Sequence, residues 1–101
     1  MLTKKQYIDS YIITFPIKEG AYADTYRVKD SDGKNYFLKL IDFAKLHHTQ
    51  FDDDGHVLEV EIAKHIDTLY AKNVPNVVRE FLSANLDNKK SEGRPEAIND
   101  R

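Results

Sequence analysis

The chain has 101 residues, which on the rough basis of about 150 per domain makes it one domain and excludes two catalytic ones. With 41% hydrophobic and 32% charged residues it is too apolar to be a disordered segment, and a formal net charge of −2 gives no overall field toward nucleic acid or an anionic membrane. Zero Cys excludes disulfides, thiolate zinc sites and cysteine nucleophiles, and fits a reducing compartment, with the cytoplasm as the expectation.

Lys4, Lys5, Asp9, Ser10, Thr14 and Lys18 interrupt the first twenty residues, so no apolar stretch of signal-peptide length occurs there. No apolar run approaches the roughly 18 residues of a membrane-spanning helix, so a soluble domain is expected. Tyr11 to Ile17 is rich in β-branched and aromatic types and leads into Lys18-Glu19-Gly20, a strand entering a turn. Asp24 to Val28 and Tyr36 to Ile41 read as two further strands. Between them Asp32-Gly33 predicts a hairpin through a two-residue turn, since Asp tolerates positive φ and Gly accepts it freely.

Asp42 to Gln50 reads as a polar connection. From Val57 to Tyr70 the apolar residues Val57, Val60, Ile62, Ala63, Ile66, Leu69 and Tyr70 recur at three- and four-residue steps, which predicts one amphipathic helix capped by Asp53 or Asp54. Asn73-Val74-Pro75-Asn76 ends it, and Val77 to Leu82 reads as a fourth strand. The fold expected is therefore α+β, a small antiparallel β-sheet packed on one long helix, over residues 1–86. Residues 87–101 read as a polar loop or disordered tail.

Several short motifs occur in a telling order. Gly20-Ala21-Tyr22-Ala23-Asp24-Thr25 follows the first strand, Lys39 sits on the third, Glu59 lies twenty positions further on in the helix, and Pro75-Asn76-Val77-Val78 precedes the last strand. This order resembles the N-terminal lobe of a protein kinase of the Ser/Thr type over roughly residues 11–82. The turn is similar to the phosphate-covering loop G-x-G-x-x-G-x-V, with Gly20 at the middle glycine and Tyr22 at the loop tip. It departs from that pattern at Lys18, Ala23 and Thr25. Tyr36-Phe37-Leu38-Lys39 resembles the V-A-I-K strand, whose Lys holds nucleotide phosphates and pairs with a helix Glu.

The resemblance implies an ATP-binding lobe that positions nucleotide phosphates, with Lys39 as anchor, Glu59 orienting it, and Gly20, Ala21, Tyr22, Ala23 and Thr25 closing over. ATP with magnesium is the implied cofactor. Phe37 stands where the family has a small residue over the adenine, so its ring crowds the base. The chain contains no H-R-D, D-F-G or A-P-E segment, so a C-terminal lobe in a longer parent is the expected source of any phosphoryl transfer. The alternative is a pseudokinase-like interaction module without nucleotide binding, which meets a protein partner or a second copy of itself.

Physical chemistry points to the same pair without the resemblance. Alternation along the strand puts Lys39 on one face with Phe37 and Ile41. A partly buried ammonium needs a carboxylate, and Glu59 is the one best placed on the packing helix. The ordinary alternatives are a snorkelling strand Lys and a solvated helix Glu. Gln50-x-Asp52-x-Asp54-Gly55 with Glu61 partly imitates a calcium-loop spacing, though Gln stands at the first ligand position and an acidic, solvated helix start explains it as well. His47, His48, His56 and His65 lack the spacing of a metal motif.

Overall fold

In the computed structural model six strands pair in chain order to form one sheet, β1-β2-β3-β4-β5-β6. Residues 1–63, 68–74 and 80–82 are described. The strands are β1 (Tyr7–Ile8), β2 (Tyr11–Glu19), β3 (Ala23–Lys29), β4 (Asn35–Ile41), β5 (Thr68–Lys72) and β6 (Glu80–Phe81), and one helix, α1 (Leu58–Ile62), lies between β4 and β5. Every neighbouring pair is antiparallel except β4 with β5, which run parallel. A parallel pair needs a crossover, and the segment 42–67 supplies it.

The expected sheet packed on one long helix is overturned. The predicted helix over Val57 to Tyr70 is helical only over five residues, Leu58–Ile62, within the described part, and its far end is the strand β5. The physical reason lies in where β5 sits. Leu69 and Ala71 enter one core cluster while Tyr70 enters another, so three successive residues are buried from opposite sides. A strand buried on both faces reads as an unbroken apolar run, and beside Val60 and Ala63 such a run imitates helical spacing. Positions 64–67 of that segment lie outside the described residues, as do Pro75 to Arg79 and the tail.

The first three expected strands are β2, β3 and β4, each within two residues of its expected bounds. Their hairpin uses a three-residue loop rather than two. Gly33 N–H donates to the Asp30 carbonyl at 3.1 Å and Asp30 N–H to the Lys34 carbonyl at 3.0 Å, with Gly33 at φ 84°. Asp30 Oδ1 accepts from the amides of Asp32 and Lys34, both at 2.9 Å, so this side chain organises the turn. β1, absent from the sequence reading, joins β2 through Asp9-Ser10, with Asp9 at φ 53°. Pro16 is tolerated in β2 because it falls at a register shift, beyond the reach of the two-residue β1.

Two clusters divide the core between the sheet faces. Tyr11, Ile13, Tyr26, Val28, Tyr36, Leu38, Leu40, Leu69 and Ala71 fill one face of the curled sheet, with Ile8 from β1. Alternation sends Ala23, Ile41 and Tyr70 to the other face, where Val60 of α1 and Ala63, which caps its C-terminal end, pack on them. Val57, expected in the helix, is instead its N-terminal cap residue and makes no side-chain capping bond, so neither Asp53 nor Asp54 has the expected role. The connection after β4 is less polar than it reads. It forms 3₁₀ turns at Phe43–Lys45 and His48–Gln50, and Phe43, Leu46 and Phe51 pack on the second cluster.

Candidate functional site

The sheet register builds the site. Lys39 of β4 stands opposite Thr25 of β3 on one side and Tyr70 of β5 on the other, and Thr25 in turn stands opposite Lys18 of β2. Paired residues point to the same side, so Lys18, Thr25, Lys39 and Tyr70 form a row on the face that α1 partly covers. Arg27 and Phe37 form the next row, one alternation away.

Glu59 of α1 reaches this row. Its Oε2 accepts from Lys39 Nζ at 2.7 Å, and its Oε1 accepts from the Tyr22 hydroxyl at 2.8 Å. Lys39 Nζ also donates to the Tyr22 hydroxyl oxygen at 3.4 Å and lies 5.1 Å from the centre of that ring. Tyr70 gives Glu59 a further side-chain hydrogen bond. The Lys39 and Glu59 side chains keep 26% and 32% of their surface exposed, so the pair is neither enclosed nor fully wet.

The ionisation of these groups follows from those contacts. Burial alone raises the Glu59 carboxyl, but its bonds from Lys39 and Tyr22 and the Lys39 charge outweigh burial and hold it below 4.5, its ordinary value. Burial likewise lowers the Lys39 ammonium, and the Glu59 bond and charge overcome that to keep it above 10.5. Tyr70 is pushed up to about 12, first by burial and then by the Glu59 charge. At neutral pH the site is thus a charged pair beside the neutral phenol of Tyr70.

Beside it opens a cavity of about 200 Å³ lined by Lys18, Gly20, Ala21, Tyr22, Ala23, Thr25 and Lys39. Every residue expected to touch phosphate lines it, and Glu59 joins through Lys39. Phe37 does not. It is 48% exposed, packs under the Arg27 guanidinium at 5.6 Å, and lines a separate cavity with Arg27, Asn35 and Tyr36. Gly20 is required by a close approach: a Cβ there would sit 2.6 Å from the Ala23 carbonyl oxygen. The Gly20 amide donates to that same oxygen at 2.8 Å, so it is committed to the turn rather than turned to a ligand.

A larger cavity of about 360 Å³ lies against α1, lined among others by Phe43, Val57, Val60, Phe81 and Leu82, and shares no residue with the Lys39 site. Of the calcium-like spacing, Gln50 Oε1 accepts from the His47 amide at 2.8 Å, while Asp52 Oδ1 accepts from the amides of Asp54 and His56 at 2.9 and 2.8 Å. These side chains close the local backbone. Asp52, His56 and Glu61 each bring one ligand atom within 4.8 Å of the others.

Sequence reasoning missed Tyr70 as a member of the site, because its segment read as helix. The signal was present in Thr68-Leu69-Tyr70, a β-branched and aromatic run. No helix among the described residues is long and apolar enough to cross a membrane. Comparison with protein-family models, with curated proteins and with solved structures finds no match to this chain.

Proposed function

We propose that this chain positions the phosphates of a nucleotide, ATP with magnesium, for a longer protein similar to a Ser/Thr protein kinase. The single observation behind this reading is the 2.7 Å contact between Lys39 and Glu59 at the wall of the loop-covered cavity. The kinase-lobe resemblance assigns that contact to these two residues. Lys39 offers a point charge to phosphate oxygens, Thr25 a hydroxyl and Lys18 a second cation from the rim. Such donors fit a polyphosphate. They do not fit magnesium, because the cavity lining holds no carboxylate among the described residues and Glu59 is already taken by Lys39 and two tyrosines. The kinase-lobe resemblance would assign the metal-holding groups and the catalytic base to other residues than these, and the cytoplasm is the compartment that the lack of Cys favours.

Calorimetric titration of magnesium-ATP into the chain and into Lys39→Ala tests this. Binding that disappears in the variant supports the reading; binding of equal strength in both defeats it. A second reading, an interaction module without nucleotide, is favoured by Ile62, which is 81% exposed on α1. Sedimentation showing self-association that Ile62→Ser abolishes, with no nucleotide bound, would select it.

A further inference from the structure

Tyr22 lies across the anchor of the proposed site, and the inference here rests on that reading. Its hydroxyl touches both members of the pair and its ring faces the ammonium, so one half-buried side chain lies against Lys39 at the wall of the cavity that both residues line. We propose that Tyr22 is a gate: its phenol occupies Lys39 in competition with a phosphate, which gains the ammonium when the side chain rotates away.

The backbone decides what kind of movement this is. The Asp42 amide donates to the Tyr22 carbonyl at 2.8 Å, and the Gly20 amide to the Ala23 carbonyl at 2.8 Å, so the chain is pinned on both sides of the residue. Gly20, having no Cβ to meet the Ala23 oxygen, keeps that pinch tight. Opening is therefore rotation about the Tyr22 side-chain bonds, with the turn left in place.

The contacts also differ in strength. At 3.4 Å the bond from Lys39 to the phenol is well beyond the usual range, whereas the phenol's own bond to the Glu59 carboxylate, at 2.8 Å, is short and charge-assisted. Glu59 thus holds the gate shut, while the phenol itself holds Lys39 only loosely. When Tyr22 leaves, Glu59 keeps Lys39 at 2.7 Å and Tyr70, so the anchor survives opening. A phosphate oxygen is a stronger partner for an ammonium than a phenol oxygen, which gives the exchange its direction.

The test is calorimetric titration of inorganic pyrophosphate into the chain and into Tyr22→Phe, Tyr22→Ala and Lys39→Ala, each first shown to unfold cooperatively. Losing the hydroxyl removes the 2.8 Å bond to Glu59 that holds the gate shut, together with the long contact to Lys39, so Tyr22→Phe is expected to bind pyrophosphate about three- to tenfold more tightly. Tyr22→Ala, which also removes the ring, is expected to bind at least as well as Tyr22→Phe, and Lys39→Ala to lose binding. Binding lost in Lys39→Ala but unchanged or weakened in Tyr22→Phe overturns the gate and leaves the anchor standing. Binding that is absent throughout, or indifferent to Lys39→Ala, overturns the anchor and the gate with it. Nuclear magnetic resonance of the unsubstituted chain adds an independent readout: the Tyr22 ring signals are expected to move at saturation, and ring signals that stay fixed while pyrophosphate binds overturn the gate.

Discussion

Lys39 stands directly beside Tyr70 across the parallel β4–β5 pair, and both side chains end on the carboxylate of Glu59. The pairing of two strands thus determines where the charge pair sits, and the helix only delivers the third group. Coupling between Lys39 and Glu59 is accordingly expected in a double-mutant cycle with Lys39→Met and Glu59→Gln. About 1 kcal/mol is expected for a half-exposed, hydrogen-bonded pair, less than a fully buried one would give. Urea unfolding of the four proteins measures it, and strictly additive effects would remove the pair as a stabilising contact.

The charge pair also sets a pH window. Glu59 titrates below its ordinary 4.5, so its contribution is present above that value and fades as the pH falls through its lowered folded-state value. Lys39 and Tyr70 titrate above 10.5 and 10.0, so theirs are present below those values and fade as the pH rises, for Tyr70 through about 12. The stability difference between the parent and Glu59→Gln should be constant from about pH 5 to 9 and shrink at lower pH. Tyr70→Phe should soften the loss between about pH 10 and 12. Parallel pH profiles for parent and variants would contradict both assignments.

Gly20→Ala is expected to lower stability by about 1–3 kcal/mol, because the added Cβ must push the Ala23 carbonyl away and open the turn. Gly33→Ala offers a contrast, having open space around its Cβ but φ 84°, for a cost of about 1 kcal/mol from strain alone. Thermal unfolding of the two variants separates crowding from strain. Equal and negligible shifts would show that the turn does not need its glycine.

The strand β5 has its own signature. Leu69 is 3% exposed and belongs to the main cluster, so Leu69→Ala should cost about 2–5 kcal/mol, while Ile62→Ser at the surface should stay within about 0.5 kcal/mol. A long helix packed through both residues would make both substitutions costly. Denaturant midpoints decide between these patterns.

How much of this could be read in advance varies with the range of the interactions involved. The strands β2, β3 and β4 follow from local signals: β-branched and aromatic runs, a Gly-containing turn and an Asp-Gly hairpin. The pairing of Lys39 with Glu59 was legible because a lone ammonium on an apolar strand demands a carboxylate. β5 was not, because Leu69, Tyr70 and Ala71 are buried from two sides, and burial on both faces erases the alternation that marks a strand. Tyr70 therefore escaped notice as a partner of Glu59. Phe37 was rightly put on the Lys39 face, but the Arg27 guanidinium beside its ring has no sequence signature.

The direction of β5 has a kinetic consequence. The meander from β1 to β4 is made of neighbours in sequence and can assemble by short loop closures, each in about microseconds. β5 can add in parallel only after the crossover segment has swung back over the sheet, a longer closure that must be completed before its contacts repay it. Glu59 rides on that crossover. Lys39 is thus placed early and meets its counter-ion late, which makes the bond between them a marker of a later step of assembly than the meander.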